Sequence, residues 1–469
     1  MDEILKKRVG RTPLIRARKL EKELGIKKIF LKLEGNNPSG HSEDRLAYLI
    51  IRDALARGKK TICMGTYGTI GGSLSYLSRY YDINLVFYVP DEDKISRKDL
   101  LDSDKVEIRE NGGTYEECVT ESRRVAQKNN WYDANFGYAN SVMNMYAFSY
   151  IAKEINNQLN GEVNTIFCQT FNGSSIAGIH LGLKDLWIDE TIEKLPKIWA
   201  VSTENGNAII ESYEKGSKEI LTLDENDTVK TEHSRHMVNT NCYNGQDALN
   251  AIHDTYGGAV GVQDEELTKN DKKVKDLENI DMSTANSFAI TGFIKAAKEG
   301  EISDGNHVII LPDGTIELDV RVLSKSDLNI SYEEMLERLD EWLLEFSDPM
   351  CEMREAVENA FEDGYVLGAF DHNTLVGLSI VSRSGFDTFF PKYHLSYIAT
   401  KKDVKGRGIA TRLIQEALQA ANGDLSLHVE TNNKKAIKLY EKMGLRKKYY
   451  RMIYEGEEHG SKEENSDEG

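Results

Sequence analysis

The chain has 469 residues, 40% of them hydrophobic and 29% charged, and a formal net charge of −18. That length supports two or three domains with sizeable cores, and the acidic balance argues against a nucleic-acid binder, which needs a basic stripe to displace counterions. The sequence has no uninterrupted apolar run of about 18 residues, and the start Met1-Asp2-Glu3-Ile4-Leu5-Lys6-Lys7 has no apolar signal core, so a cytoplasmic protein without a membrane partner is expected. Five cysteines, Cys63, Cys118, Cys168, Cys242 and Cys351, are scattered without a C-x-x-C pair, so neither a disulfide framework nor a zinc ribbon is expected. His233 and His236 are spaced i, i+3 with no third ligand at a recognisable spacing, so no metal is expected.

In chain order, Gly10-Arg11-Thr12-Pro13-Leu14 comes first, and Phe30-Leu31-Lys32-Leu33-Glu34 leads into the turn-rich Asn37-Pro38-Ser39-Gly40-His41-Ser42-Glu43-Asp44-Arg45. The apolar Thr61-Ile62-Cys63 precedes Met64-Gly65-Thr66-Tyr67-Gly68, and a helical pattern follows through Ser73 to Leu77. A strand is expected from Asn164 to Cys168 and a helical run to Trp187, with Phe171-Asn172-Gly173-Ser174-Ser175-Ile176-Ala177-Gly178 between them. Backbone N–H groups at such a helix start bind anions whatever the side chains. Asp281-Met282-Ser283-Thr284-Ala285-Asn286-Ser287 and the strand-like His307-Val308-Ile309-Ile310-Leu311, before Pro312-Asp313-Gly314, close this half.

These segments, in this order over about 320 residues, resemble the pyridoxal-phosphate (PLP) enzymes of fold type II, the threonine synthase and cysteine synthase group. The resemblance implies a tryptophan synthase β-like α/β unit of two subdomains. In that family the loop at residues 37–45 carries the lysine that forms an imine with the cofactor aldehyde. Here the position is Glu43, and a carboxylate cannot form the imine. The family's ring-contacting asparagine is Thr66, and Gly173, Ser174 and Ser175 stand in its phosphate cup. His41 and Ser42 also depart from the family pattern, so drift of the whole loop is expected, leaving PLP either unbound or held only non-covalently. Cys242, in Asn239-Thr240-Asn241-Cys242-Tyr243, has no identified activating neighbour.

The polar stretch Leu323 to Ile330 reads as a linker between a first domain at 1–322 and a second at 331–454. Ser331 with Glu334 has capping-box spacing, and Tyr332, Met335, Leu336, Leu339, Trp342, Leu343 and Phe346 recur as an apolar helix stripe that Asp348-Pro349 ends. After a second helical stretch, Tyr365–Phe370 and Thr374–Val381 read as a hairpin around Asp371-His372-Asn373. His394 to Thr400 is strand-like. It is followed by Lys401-Lys402-Asp403-Val404-Lys405-Gly406-Arg407-Gly408-Ile409-Ala410-Thr411 and a helix to about Ala421. Downstream come Leu425-Ser426-Leu427-His428-Val429-Glu430 and Asn433-Lys434-Lys435-Ala436-Ile437-Lys438-Leu439-Tyr440-Glu441-Lys442-Met443-Gly444-Leu445. From Glu455 to Gly469 seven carboxylates face one lysine, so a disordered acidic tail is expected.

The two downstream segments resemble motif A and the N-x-x-A-x-x-L-Y-E-K-x-G pattern of the GNAT acetyltransferases, whose α/β fold has a mixed sheet. Acetyl-CoA is then implied, with the diphosphate at Lys405, Gly406, Arg407, Gly408, Ile409, Ala410 and Thr411. The thioester arm is implied along the backbone of Ile398, Ala399 and Thr400 and at Asn433, and Tyr440 as proton donor to the departing thiolate. Strand alternation would set Ser426, His428 and Glu430 on one face, making Glu430 the first candidate for general base and His394 the second. The implied partner is a small amine or amino acid. Three readings stay open for the first domain: a ligand-binding or regulatory relative without catalysis, an altered PLP-dependent lyase or synthase, or a scaffold for homodimers.

Overall fold

The computed structural model describes residues 8–90, 104–110, 113–316, 318–325, 330–371, 374–386, 388, 390–404 and 408–448. Lys405, Gly406, Arg407 and the acidic tail lie outside them. Two α/β units make the N-terminal domain. One is a six-stranded sheet in the order Leu14–Arg16, Ile29–Leu33, His307–Leu311, Thr165–Gln169, Lys197–Thr203, Gly258–Val262, with only the first pairing antiparallel. The other is a four-stranded parallel sheet of Val106–Glu110, Asn84–Val89, Thr61–Gly65 and Tyr132–Asp133. Parallel sheets covered on both faces need strands that are apolar throughout, and every residue of His307–Leu311 is buried.

The retained part of the 37–45 loop does structural work. Asn37 Oδ1 accepts from the Gly10 N–H at 2.7 Å, and Asp44 accepts from the Ser39 N–H at 2.7 Å and from the Ser39 hydroxyl. Arg45 forks onto Glu34 at 2.7 and 2.9 Å, and its two terminal nitrogens donate to Glu154 at 2.8 and 2.9 Å. Lys32, fully buried, donates to Glu154 at 2.8 Å. Asp44 and Arg45 therefore hold the loop in place whether or not a lysine sits beside them.

The C-terminal domain has a five-stranded mixed sheet in the order Asp319–Val322, Tyr365–Asp371, Thr374–Arg383, Tyr393–Thr400, Leu425–Leu427, antiparallel except for the last pairing. Its first strand corrects the boundary expected at residue 322. Asp319–Val322 pairs with Phe370–Leu367 of this sheet, because Val320 and Val322 alternate with polar residues as an edge strand requires. Only Glu317 and Leu318 separate it from Thr315–Ile316, which pairs with Ile280–Asp281 in the N-terminal domain. Ser331 Oγ accepts from the Glu334 N–H and starts the helix Tyr332–Leu343. That helix and Met350–Asp363 cover one sheet face, while Ile409–Ala420 and Lys434–Lys442 cover the other.

Candidate functional sites

The groove of the C-terminal domain arises from a bulge. Ile380 faces Tyr397 but Val381 faces Leu395, leaving Ser396 as an extra residue on its strand. An extra residue reverses side-chain parity and bends the strand. Tyr393 and Leu395 accordingly pack with Ile409–Ala420, and beyond the bulge Ile398, not Tyr397, takes that side. Pairing with Leu425–Leu427 stops at Leu395, and the two strands part. Ile398, Ala399 and Thr400 are paired only toward Ser379, Leu378 and Gly377, so their other backbone edge lines the opening.

Beside this opening Gly408, at φ +79°, forms the N-cap of Ile409–Ala420 in the left-handed region that favours glycine. The first intrahelical bond runs from the Arg412 N–H to the Gly408 carbonyl, and among the described residues no side chain caps the helix. The amides of Ile409, Ala410 and Thr411 thus form an uncapped anion-binding end. Asn433 caps Lys434–Lys442 by accepting from the Ala436 N–H at 3.1 Å, which leaves its amide hydrogens for other partners. Tyr440 is buried in the core that also holds Leu395 and Ile409, and desolvation pushes its phenol up to about 12.

The base candidates fall apart in space. Leu425–Leu427 ends before His428, so Glu430 is an exposed residue beyond the strand and the expected alternation through Glu430 does not form. His394 Nδ1 lies 3.0 Å from Ser426 Oγ, which donates to the Tyr393 carbonyl at 3.3 Å, and the His394 and His428 rings are 4.6 Å apart. Sequence reasoning gave His428 no role, yet its place two residues after Ser426 signals this juxtaposition. It also gave none to Tyr397 and Asp348, joined by a hydrogen bond of 2.8 Å at the turn that Pro349 imposes.

The N-terminal cleft presents a different picture. Glu43 is partly buried at the start of Asp44–Ala56; desolvation raises its carboxyl above the ordinary range, and Ser42 Oγ donates to it at 2.9 Å. Thr66 Oγ1 accepts from the Gly68 N–H at 3.1 Å. In the glycine-rich turn the Gly173 N–H donates to Thr170 Oγ1 at 3.2 Å and the Ser174 N–H to Asn172 Oδ1 at 3.0 Å, while Ser174 and Ser175 hydroxyls donate to Asn244 and to the Gln169 carbonyl. Gly173 has φ +91° and an added Cβ would lie 2.3 Å from the Asn244 carbonyl oxygen, so the turn is also tightly packed. Phe171, at the cup's first position, stands edge-on to Tyr115 and Tyr67, which stack on each other at 4.8 Å. These residues do not fit an imine-linked pyridoxal phosphate: the amine is replaced by a carboxylate, and two cup donors are spent on the chain's own side chains. Cys242 is buried and its thiol is pushed up to about 12 by desolvation, the opposite of activation. His233 and His236 lie in turns, and no group of three or more ligating side chains is placed to hold a metal among the described residues. Nor is any described helix long and apolar enough to cross a membrane.

Comparison with known proteins gives two family matches. Residues 5–313 match the model for pyridoxal-phosphate dependent enzymes, and residues 332–445 match the acetyltransferase (GNAT) family. Threonine synthase of Methanocaldococcus jannaschii is 26% identical over 310 residues, covering 65% of this chain and 74% of that protein. Cysteine synthase of Dictyostelium discoideum is 32% identical over 193 residues, 38% of this chain and 49% of that protein. Among solved structures, the processed form of threonine deaminase isoform 2 from Solanum lycopersicum aligns with a TM-score of 0.54 at 19% identity, covering 71% of this chain and 88% of that one. At that identity the likeness concerns the fold alone.

Proposed function

The chain belongs to the pyridoxal-phosphate-dependent enzyme family and carries a GNAT domain behind it, and we propose that it is an acetyl-CoA-dependent N-acetyltransferase for a small amine or amino acid. In this reading the N-terminal domain has lost its family's chemistry and serves as a ligand-binding, regulatory or dimerising module. One contrast carries the reading. Among the described residues the helix start at Gly408 leaves its leading amides uncapped, whereas the turn at Gly173 turns two of its amides onto Thr170 and Asn172.

Transfer forms an N–C bond, breaks the C–S bond, takes a proton from the amine and returns one to the thiolate. The backbone edge at Ile398, Ala399 and Thr400 orients the thioester arm, and Asn433 can offer its amide hydrogens to the same arm. His394 serves as base. With the Ser426 proton given to Tyr393, Ser426 accepts from His394 Nδ1–H, so the lone pair that takes the amine proton is on Nε2. Glu430 is the alternative, acting through water from its exposed position. Tyr440, held protonated by burial, supplies the thiolate proton. Calorimetry of the full chain with acetyl-CoA tests the reading: saturable binding is expected, and Gly408→Glu should abolish it by placing a carboxylate at the diphosphate. Undiminished binding by Gly408→Glu would refute it. A screen of amines and amino acids for thiol release from acetyl-CoA then identifies the acceptor.

A further inference from the structure

Lys442 closes the helix Lys434–Lys442, two residues beyond Tyr440. Its Nζ leaves the C-terminal domain and donates to the Arg11 carbonyl of the N-terminal domain at 2.8 Å. The backbone that receives it is held from several sides. The Arg11 and Thr12 N–H groups donate to Glu154 at 2.7 and 3.3 Å, and Thr12 Oγ1 donates to Glu34 at 2.6 Å. Lys32 and Gln158 donate to the Thr12 carbonyl at 2.8 and 2.9 Å, and the Leu33 N–H donates to that of Pro13 at 3.0 Å. Arg11 itself stands at φ +54°, in the left-handed region that is unfavourable for a residue with a Cβ. Such a conformation persists where its surroundings over-determine it, and Glu154 on the N–H with Lys442 on the carbonyl supply that restraint. The same segment meets a second helix of the C-terminal domain, for a Cβ added to Gly408 would lie 3.5 Å from Pro13 Cγ.

The electrostatics of Lys442 work against its place. Burial disfavours the charged amine, Glu154 favours it, and the cations Lys32, Arg11 and Arg45 oppose it, so that it is pulled down to about 8. A methionine has nearly the same reach and would fill the space without a charge to desolvate. The lysine therefore gains little for the fold from being charged there. What it does gain is a directed bond from the end of the Tyr440 helix to a backbone carbonyl that the N-terminal domain holds rigidly. Tyr440 packs beside Leu395 and Ile409 in the core of the C-terminal domain, and the tie to Arg11 fixes the helix that carries it.

We propose that Lys442 is a positioning residue for Tyr440: by binding the Arg11 carbonyl it sets the helix that carries the phenol, so that the N-terminal domain governs the geometry of the transferase's proton donor. The inference rests on the proposed role of Tyr440 in returning a proton to the thiolate. It gives the N-terminal domain a part in the transfer reaction that needs neither a cofactor nor a ligand of its own.

Lys442→Met in the full chain tests it, with thiol release from acetyl-CoA as the assay and the acceptor taken from the amine screen. Turnover should fall about tenfold, within the range that misplacing a reacting group costs, while the Michaelis constant for acetyl-CoA stays near wild type. The melting temperature should equal or exceed that of wild type, because a poorly placed charge has gone. In a Tyr440→Phe background the same substitution should have no further effect, since the hydroxyl it positions is already absent. A readout independent of turnover comes from fluorine NMR of chain labelled with fluorotyrosine: the line missing from Tyr440→Phe belongs to Tyr440, and Lys442→Met should shift it. Wild-type turnover in Lys442→Met, or an unmoved Tyr440 line, overturns the inference while the transferase reading stands. An equal loss in the Tyr440→Phe background also overturns it, as does a melting temperature that falls together with turnover, since either marks Lys442 as structural. A wild-type chain that releases no thiol with any amine in the screen overturns the transferase reading and this inference together.

Discussion

Replacing Glu154 by alanine removes the acceptor shared by a buried charged cluster of the N-terminal domain. The carboxylate accepts from Lys32 at 2.8 Å, from Arg45 at 2.8 and 2.9 Å, and from the Arg11 and Thr12 N–H groups at 2.7 and 3.3 Å. Lys32 would keep the Thr12 carbonyl and Gln158, and Arg45 would keep Glu34, leaving two buried cations to one carboxylate. Removing one member of a buried ion cluster costs about 3–5 kcal/mol, because the partners stay desolvated without their counter-charge. Urea unfolding followed by far-UV circular dichroism should show the N-terminal domain's transition shifted by that amount. Glu154→Gln, which keeps the volume, should recover little of it. The effect has a defined pH window. Arg45 and Lys32 together outweigh desolvation and hold the Glu154 carboxyl well below the usual range. Its contribution is therefore complete above the unfolded value of about 4.3 and is lost as the pH falls through the folded value. A loss below about 1 kcal/mol at neutral pH, the scale of surface pairs, would mean that the cluster is hydrated and the reasoning wrong.

Tyr440→Phe keeps the ring and deletes the hydroxyl, so turnover should fall roughly 10–100-fold while the melting temperature stays put; full activity would make the residue a packing aromatic only. Glu43→Lys incubated with PLP and then freed of unbound cofactor should show no visible absorption band, since Thr170 and Asn172 still hold two of the turn's amides. A band that borohydride fixes to the protein would show that one amine suffices.

Motif residues led to the two domains because glycine turns, strand runs and helix stripes are local. The split between Tyr393–Thr400 and Leu425–Leu427 is not local. It depends on a bulge at Ser396, which in the sequence is one small polar residue within an alternating run. The base assignment suffered for the same reason: a strand read through Glu430 stops at Leu427, and the His394–His428 approach spans two strands. Glu34 and Arg45 were legible as parts of a motif, but Glu154 sits mid-helix as one acidic residue among many, and only the fold brings it to them. Leu318, Val320 and Val322 alternate too briefly to announce a strand, so the polar residues after them passed for the domain boundary.

That edge strand has a consequence for any attempt to treat the transferase as a portable unit. Tyr365–Asp371 has a partner on each side. A fragment starting after Val322 would bare one whole side of it, a run of unpaired backbone groups flanked by Val366, Leu367 and Phe370. Exposed edges of this kind recruit strands from other copies, so such a fragment should self-associate through this edge. A cut on the other side fares little better, for Thr315–Ile316 completes a ribbon of the first domain two residues earlier. Only Glu317 and Leu318 stand between these two paired strands, so a cut clear of both sheets has two residues to fall in.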